Sequence, residues 1–287
     1  MRQYTRDELM QLFHEKIKRK EPIIASGAGS GLIASAGEKA GLDLLIVYST
    51  GLFRLAGAPL LTTMLPYGSC NDIVARLGRK VLYRTEKIPV IGAIGAADPF
   101  KDWDLMIDQM LDAGFSGMIN YPIFTGIEGF AGDLEDSGIG FSRNLALIRK
   151  CRKRDFFSSS FAFDEYQAKM LASEGADMIC AMIGGTAGGT NAIKEDKVRS
   201  IEEACDIIQS IYDAVISENP EAVVTCRGGP IVGPDDLQIC FDQTDVKGFI
   251  GGSSIERIPV ERAVCNATRE FVAVKVYQED NDGKAKK

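Results

Sequence analysis

The chain has 287 residues, 45% of them hydrophobic and 25% charged, which excludes a disordered tail, a collagen-like repeat or a disulfide mini-protein as a description of the whole. Forty acidic residues against 33 basic ones give a net charge of −7, the reverse of what a nucleic-acid partner demands. No run approaches the 18 or so apolar residues of a spanning helix, and residues 1–20 lack the apolar centre of a signal peptide, so neither membrane nor secretion is expected.

The chain opens on a helical pattern. Thr5 and Glu8 form a T-x-x-E capping box ahead of Leu9, Leu12, Phe13 and Ile17. Eight short apolar runs follow, at 23–29, 44–51, 89–98, 116–123, 156–163, 177–185, 222–230 and 247–254. Each is bounded by glycine or a polar turn and rich in β-branched or aromatic residues, as strands buried on both faces are. Amphipathic stretches lie between them. The segment 102–114 is predicted to bury Leu105, Met106, Met110 and Leu111, and 200–219 is predicted helical. So is 259–276, which opens with proline. Eight βα units in about 250 residues predict a single (β/α)8 TIM barrel with an extra N-terminal helix. The competing open doubly wound sheet has only GAGSG (27–31) as a loose dinucleotide turn. The expected organisation is a leading helix over 1–20, the barrel over 21–277 and a flexible tail over 278–287.

A barrel of this kind carries its site where strands end, in the βα loops. After runs 7 and 8, CRGGP (226–230) and IGGSSIER (250–257) offer a phosphate or carboxylate cradle: Gly228, Gly229, Gly251, Gly252, Ser253 and Ser254, with Arg227 adding charge. After run 4, residues 124–142 are too long for an ordinary connection and read as a glycine-hinged lid, with Glu128 as its acid/base candidate. A solvated acidic loop is the competing reading. Asp98, after run 3, is placed to ligate Mg²⁺ or move a proton, although an Asp before Pro also starts turns. After run 2, Tyr48, Ser49 and Gly51 offer polar contacts and Arg54 an anion partner. The sequel 58–68 is apolar enough for a subunit contact or a lid rim.

Some features point nowhere special. The basic run 149–154 ends a helix, where cations suit the dipole. The one histidine, His14, sits on the leading helix away from every strand end, and a multi-histidine zinc site is impossible. Seven cysteines, odd in number and never spaced CxxC, read as reduced thiols of a cytoplasmic protein. No organic cofactor is evident.

GAGSG (27–31), YSTGLFRLAG (48–57), ADPF (97–100), GFSG (114–117), DSGIG (136–140), GGPI (228–231) and GFIGGSSIERIPVE (248–261) together resemble the phosphoenolpyruvate hydrolase-like family. Its members are TIM-barrel domains similar to indole-glycerol-phosphate synthase, one of them the C-terminal part of a plant tobamovirus-resistance protein. The resemblance spans residues 21 to 265 and implies a TIM barrel and self-association as a homo-oligomer. It also implies a likeness to phosphoenolpyruvate mutases, in which a small carboxylate and Mg²⁺ sit at the strand ends. Tyr48, Ser49 and Gly51 then resemble the substrate-carboxylate loop, and Asp98 stands on the metal side; Asn120, in run 4, is a further substrate-binding candidate. Where members carry histidines, this chain has Met182 and Arg227. The expected function is that of a lyase or hydrolase of a small anionic metabolite, phosphorylated or an enolisable keto acid. The alternative is a non-catalytic module that senses a metabolite or binds a protein.

Overall fold

The computed structural model describes residues 2–124, 129–190 and 195–276, without the side chains of Leu60 and Glu195. The eight apolar runs become eight strands: β1 (Ile23–Gly27), β2 (Leu44–Val47), β3 (Val90–Ile94), β4 (Gly117–Asn120), β5 (Phe157–Ala162), β6 (Met178–Met182), β7 (Val223–Arg227) and β8 (Gly248–Gly251). All neighbours are parallel, and β8 pairs with β1 to close the barrel. Closure settles the choice against an open sheet.

The helices are α1 (Arg6–Lys18), α2 (Gly31–Lys39), α3 (Ser49–Leu55), α4 (Cys70–Leu82), α5 (Trp103–Ala113), α6 (Ala131–Asp136) and α7 (Phe141–Lys153). They continue with α8 (Glu165–Ser173), α9 (Ile201–Glu218), α10 (Pro234–Gln243), α11 (Ser253–Glu256) and α12 (Ile258–Val272). The capping box of Thr5 and Glu8 forms as expected, and Ser200 with Glu203 makes another. Gly114 ends α5 with φ +97°, in the left-handed region where glycine bears no steric cost.

Two expectations are corrected. In α5, Leu105 and Leu111 face solvent, whereas Ile107 and Met110 are buried. The inward stripe runs through positions 103, 106, 107 and 110, the i, i+3, i+4, i+7 set. The segment 124–142 is also not one open loop: α6 occupies part of it and buries Leu134. The lid reading of residues 125–128, with Glu128, lies outside the described residues.

Sequence also explains why the lower end is closed. Phe13 on α1 meets Phe157 at the start of β5 edge-to-face, with centroids 5.9 Å apart. Arg6 pairs with Asp177 at 2.8 Å and Lys16 with Asp43 at 2.6 Å. These two acids immediately precede β6 and β2, and each also accepts a backbone N–H from the neighbouring strand. The leading helix is thus fastened across the N-terminal mouth, which leaves the C-terminal mouth for chemistry. His14 belongs to this lower end, its Nε2 lying 2.9 Å from the Glu221 carbonyl. The basic run at 149–154 finds acids: Arg149 pairs with Glu174, Lys150 with Asp104, and Arg154 with Asp108.

Phe13→Ala removes the centre of that plug and is expected to cost about 3–5 kcal/mol. Urea unfolding with an unchanged slope checks it, and a loss below about 1 kcal/mol would mean that α1 is a mere appendage.

Candidate active site

Two polypeptide turns approach unusually closely at the upper mouth. A Cβ on Gly29 would lie 2.3 Å from the Gly51 carbonyl oxygen, so the loop after β1 and the first turn of α3 fit together only as glycines. This contact admits a third partner. Glu256 on α11 is fully buried and accepts hydrogen bonds from the Gly29 N–H and from Arg54 on α3. Burial pushes the Glu256 carboxyl up; Arg54, the Gly29 amide and Arg227 oppose that shift by favouring the charged form.

Arg227 ends β7 beside this pair. A Cβ on Gly252 would stand 2.6 Å from its Nη2 and 3.1 Å from the Arg54 Nη2, so both guanidinium groups reach one point because residue 252 is bare. The Arg227 guanidinium lies 5.0 Å from the Phe161 ring centre and 6.0 Å from that of Tyr48. Tyr48 and Tyr121 pack at 5.5 Å, Tyr121 and Phe161 at 5.7 Å, and together they form an aromatic floor. The Tyr121 hydroxyl accepts a hydrogen bond from Thr50 at 2.8 Å. Several buried polar atoms have no partner in the fold: the Tyr48 hydroxyl and the Nε of both Arg54 and Arg227. Among the described residues Arg227 makes no ion pair. With Glu256 ionised, the cluster therefore carries one uncompensated positive charge in a place sheltered from water. That arrangement attracts an anion.

The sequence-predicted residues divide. Tyr48, Arg54, Arg227 and Gly252 come together around the cationic point. Ser49 is buried with its hydroxyl 2.8 Å from that of Thr63, and Gly51 serves the close approach to Gly29. Gly228 and Gly229, at φ +80° and +57°, pack directly on residues 183–184, and the Gly229 N–H donates to the Gly185 carbonyl. Gly251 leaves room for Ile255. Ser253 and Ser254 begin α11, and the Ser254 hydroxyl is buried without a partner. Asn120 is in register with Ile94 and Ser160, one residue out of phase with Tyr121 and Phe161; its amide is buried and unpartnered. Alternation along a strand puts it on the face opposite the aromatic floor. Met182 stands in register with Arg227, so the two positions at which the family resemblance raised histidine are neighbours on adjacent strands. Glu256, Thr50 and Tyr121 were not singled out, although Glu256 lies inside the glycine-serine segment that was.

Asp98 stands apart from the arginines, at a cavity of about 330 Å³ between the ends of β3 and β4, α6 and the 3₁₀ turn Leu60–Met64. Its carboxylate accepts from Asn71 at 3.1 Å and from the Phe100 N–H at 3.0 Å. One hydrogen bond per oxygen leaves lone pairs free for a proton or a cation. Among the described residues no three His, Cys, Asp or Glu side chains gather as a metal cluster. The segment 58–68 walls this cavity through Met64, Leu65 and Pro66, while Leu61 and Tyr67 face outward.

A family model described as phosphoenolpyruvate hydrolase-like matches residues 8–274. Two tomato (Solanum lycopersicum) proteins, ToMV susceptible protein tm-1 and ToMV resistance protein Tm-1, are 34% and 33% identical to 93% and 94% of this chain. The chain covers 35% and 36% of them, so it spans about a third of their length. A phosphoenolpyruvate phosphomutase from Streptomyces platensis subsp. rosaceus superposes with a TM-score of 0.60 at 14% identity. A phosphonopyruvate hydrolase in complex with oxalate and Mg²⁺ does so at 0.59 and 16%. In both cases 94% of this chain and 86% of the other are covered. At such identities the likeness shows a shared barrel.

Glu256→Gln leaves Arg54 buried without its counter-charge and is expected to cost about 3 kcal/mol, measurable by urea unfolding. A variant as stable as the parent would show that the pair does not organise the mouth.

Proposed function

The chain belongs to the phosphoenolpyruvate hydrolase-like family, and on that footing we propose that it is a lyase or hydrolase of a small anionic keto acid or its phosphorylated form. The observation that carries this reading is the convergence of Arg54 and Arg227 on one sheltered point, with Arg227 unpaired and both Nε–H groups unused. Guanidinium groups bind carboxylate and phosphoryl oxygens by paired N–H donors. Such groups also stabilise negative charge that develops on an enolate or a leaving oxygen. The Tyr48 hydroxyl is a third donor at the same place. Ser254, with its free buried hydroxyl, is the best supported member of the glycine-serine cradle for a phosphoryl group.

Proton transfer falls to a carboxyl. No histidine stands at the mouth, and Glu256 is committed to Arg54. Asp98 is the described candidate, and Glu128, outside the described residues, is the other. A phosphonopyruvate hydrolase of like fold holds Mg²⁺ with oxalate. In this chain a Mg²⁺ would rest on Asp98, substrate oxygens and water, since this ion keeps several waters and needs few carboxylates. Such an ion would polarise the substrate's oxygens. Asp98 still has lone pairs to offer it.

Self-association rests on a different observation. Val260, Val264, Phe271 and Val272 of α12 are exposed, Phe271 by 80%. An apolar helix face of this size marks an interaction surface, and a second copy of the chain is the proposed partner. Val264→Asp with Phe271→Asp is expected to yield monomers in sedimentation velocity; an unchanged oligomer would remove α12 from the contact.

Oxalate at a hundred times its dissociation constant should stabilise the protein by about 2.7 kcal/mol, read as a rise in melting temperature. Arg227→Gln should abolish most of that rise. In turnover assays with keto acids and phosphoenolpyruvate, Asp98→Asn or Glu128→Gln should eliminate product. Oxalate binding with no turnover of any such acid would favour the non-catalytic sensor.

A further inference from the structure

Resting on that reading, we propose that the substrate carries an apolar tail of about three to seven carbons, received by the cavity beside Asp98 while its anionic head lies between Arg54 and Arg227. The cavity and the cationic point share two walls. Thr63, in the cavity lining, is hydrogen-bonded to Ser49, which heads the same short helix that carries Arg54. Tyr121 belongs to the aromatic floor beside Arg227, and the next residue, Pro122, lines the cavity. The guanidinium groups and the apolar chamber therefore stand on adjoining walls of the mouth, and a ligand lying across it would meet both.

The lining selects what enters. Met64, Leu65, Phe124, Phe130, Leu134 and Ile139 are among its lining residues. An apolar cavity of about 150 Å³ holds benzene, so about 330 Å³ accommodates a branched or aromatic group. Among the described residues no lysine or arginine lines the chamber, and the charged one is Asp98. In the Mg²⁺-free protein, a second carboxylate placed there would meet the like charge of Asp98 without a partner, which is how a site rejects a competitor. A three-carbon acid such as pyruvate leaves the chamber unfilled, and a dicarboxylate such as oxaloacetate is repelled from it.

The test is calorimetric titration of the full chain, in Mg²⁺-free buffer, with oxalate, pyruvate, 2-oxobutanoate, 4-methyl-2-oxopentanoate and oxaloacetate. Affinity should rise about fourfold for each methylene buried, so 4-methyl-2-oxopentanoate should bind at least tenfold tighter than pyruvate and tighter than oxaloacetate. Met64→Trp and Ile139→Trp, which fill the chamber from different elements, should erase that gain and leave oxalate affinity unchanged. Retained oxalate binding reports that each variant is folded. Equal affinity along the series, or oxaloacetate as the tightest ligand, would overturn the tail proposal while leaving the anion site standing. Failure of oxalate and every keto acid to bind would instead overturn the functional reading beneath it.

Discussion

A carboxylate without exposure to solvent, held between a backbone amide and a guanidinium, governs the upper mouth of this barrel. Removing Glu256 and Arg54 from water costs several kcal/mol per ion, which their attraction offsets only in good geometry with further hydrogen bonds. The Gly29 amide supplies one such bond. To supply it, the turn after β1 must lie against α3, and this is why both Gly29 and Gly51 lack side chains. Gly252 has the matching role for the arginines, since any Cβ there would occupy the space their ends share. Three of the chain's glycines thus follow from one ion pair.

The two ends of the barrel do different work. At the bottom, Arg6 and Lys16 neutralise acids at the starts of strands, and Phe13 closes the interior. The two cations that reach the strand starts, Arg6 and Lys16, are both paired there. At the top, Arg227 is left over. A single unpaired cation in a sheltered place is unfavourable for the empty protein and favourable for an anion complex, and this difference is what binding exploits. The aromatic floor beneath it keeps water away from one side and tolerates the cation through its ring faces.

The fold was legible because it depends on local rules. Each strand is a short apolar run bounded by glycine or a polar turn, and the capping boxes of α1 and α9 are residue pairs three apart. The side of α5 that faces inward was misjudged because adjacent apolar residues, Leu105 to Ile107, leave the phase of the stripe undetermined until the sheet fixes it. The site was legible in its cations and glycines but not in its carboxylate. Glu256 pairs with Arg54 across 202 positions of chain, and no spacing rule encodes such a contact. Ser49 looked free and is tied to Thr63. Asn120 looked like a substrate contact, yet strand alternation turns on a single residue, and the neighbouring Tyr121 faces the mouth instead.

The most direct measurement is the NMR signal of the two buried arginine Nε–H groups during titration with oxalate. Arg54 and Arg227, assigned by conservative Arg→Lys variants, should show Nε–H signals that shift together along one saturable curve as those donors acquire an acceptor. Saturable oxalate binding that leaves both signals in place would put the anion elsewhere on the molecule and contradict the account.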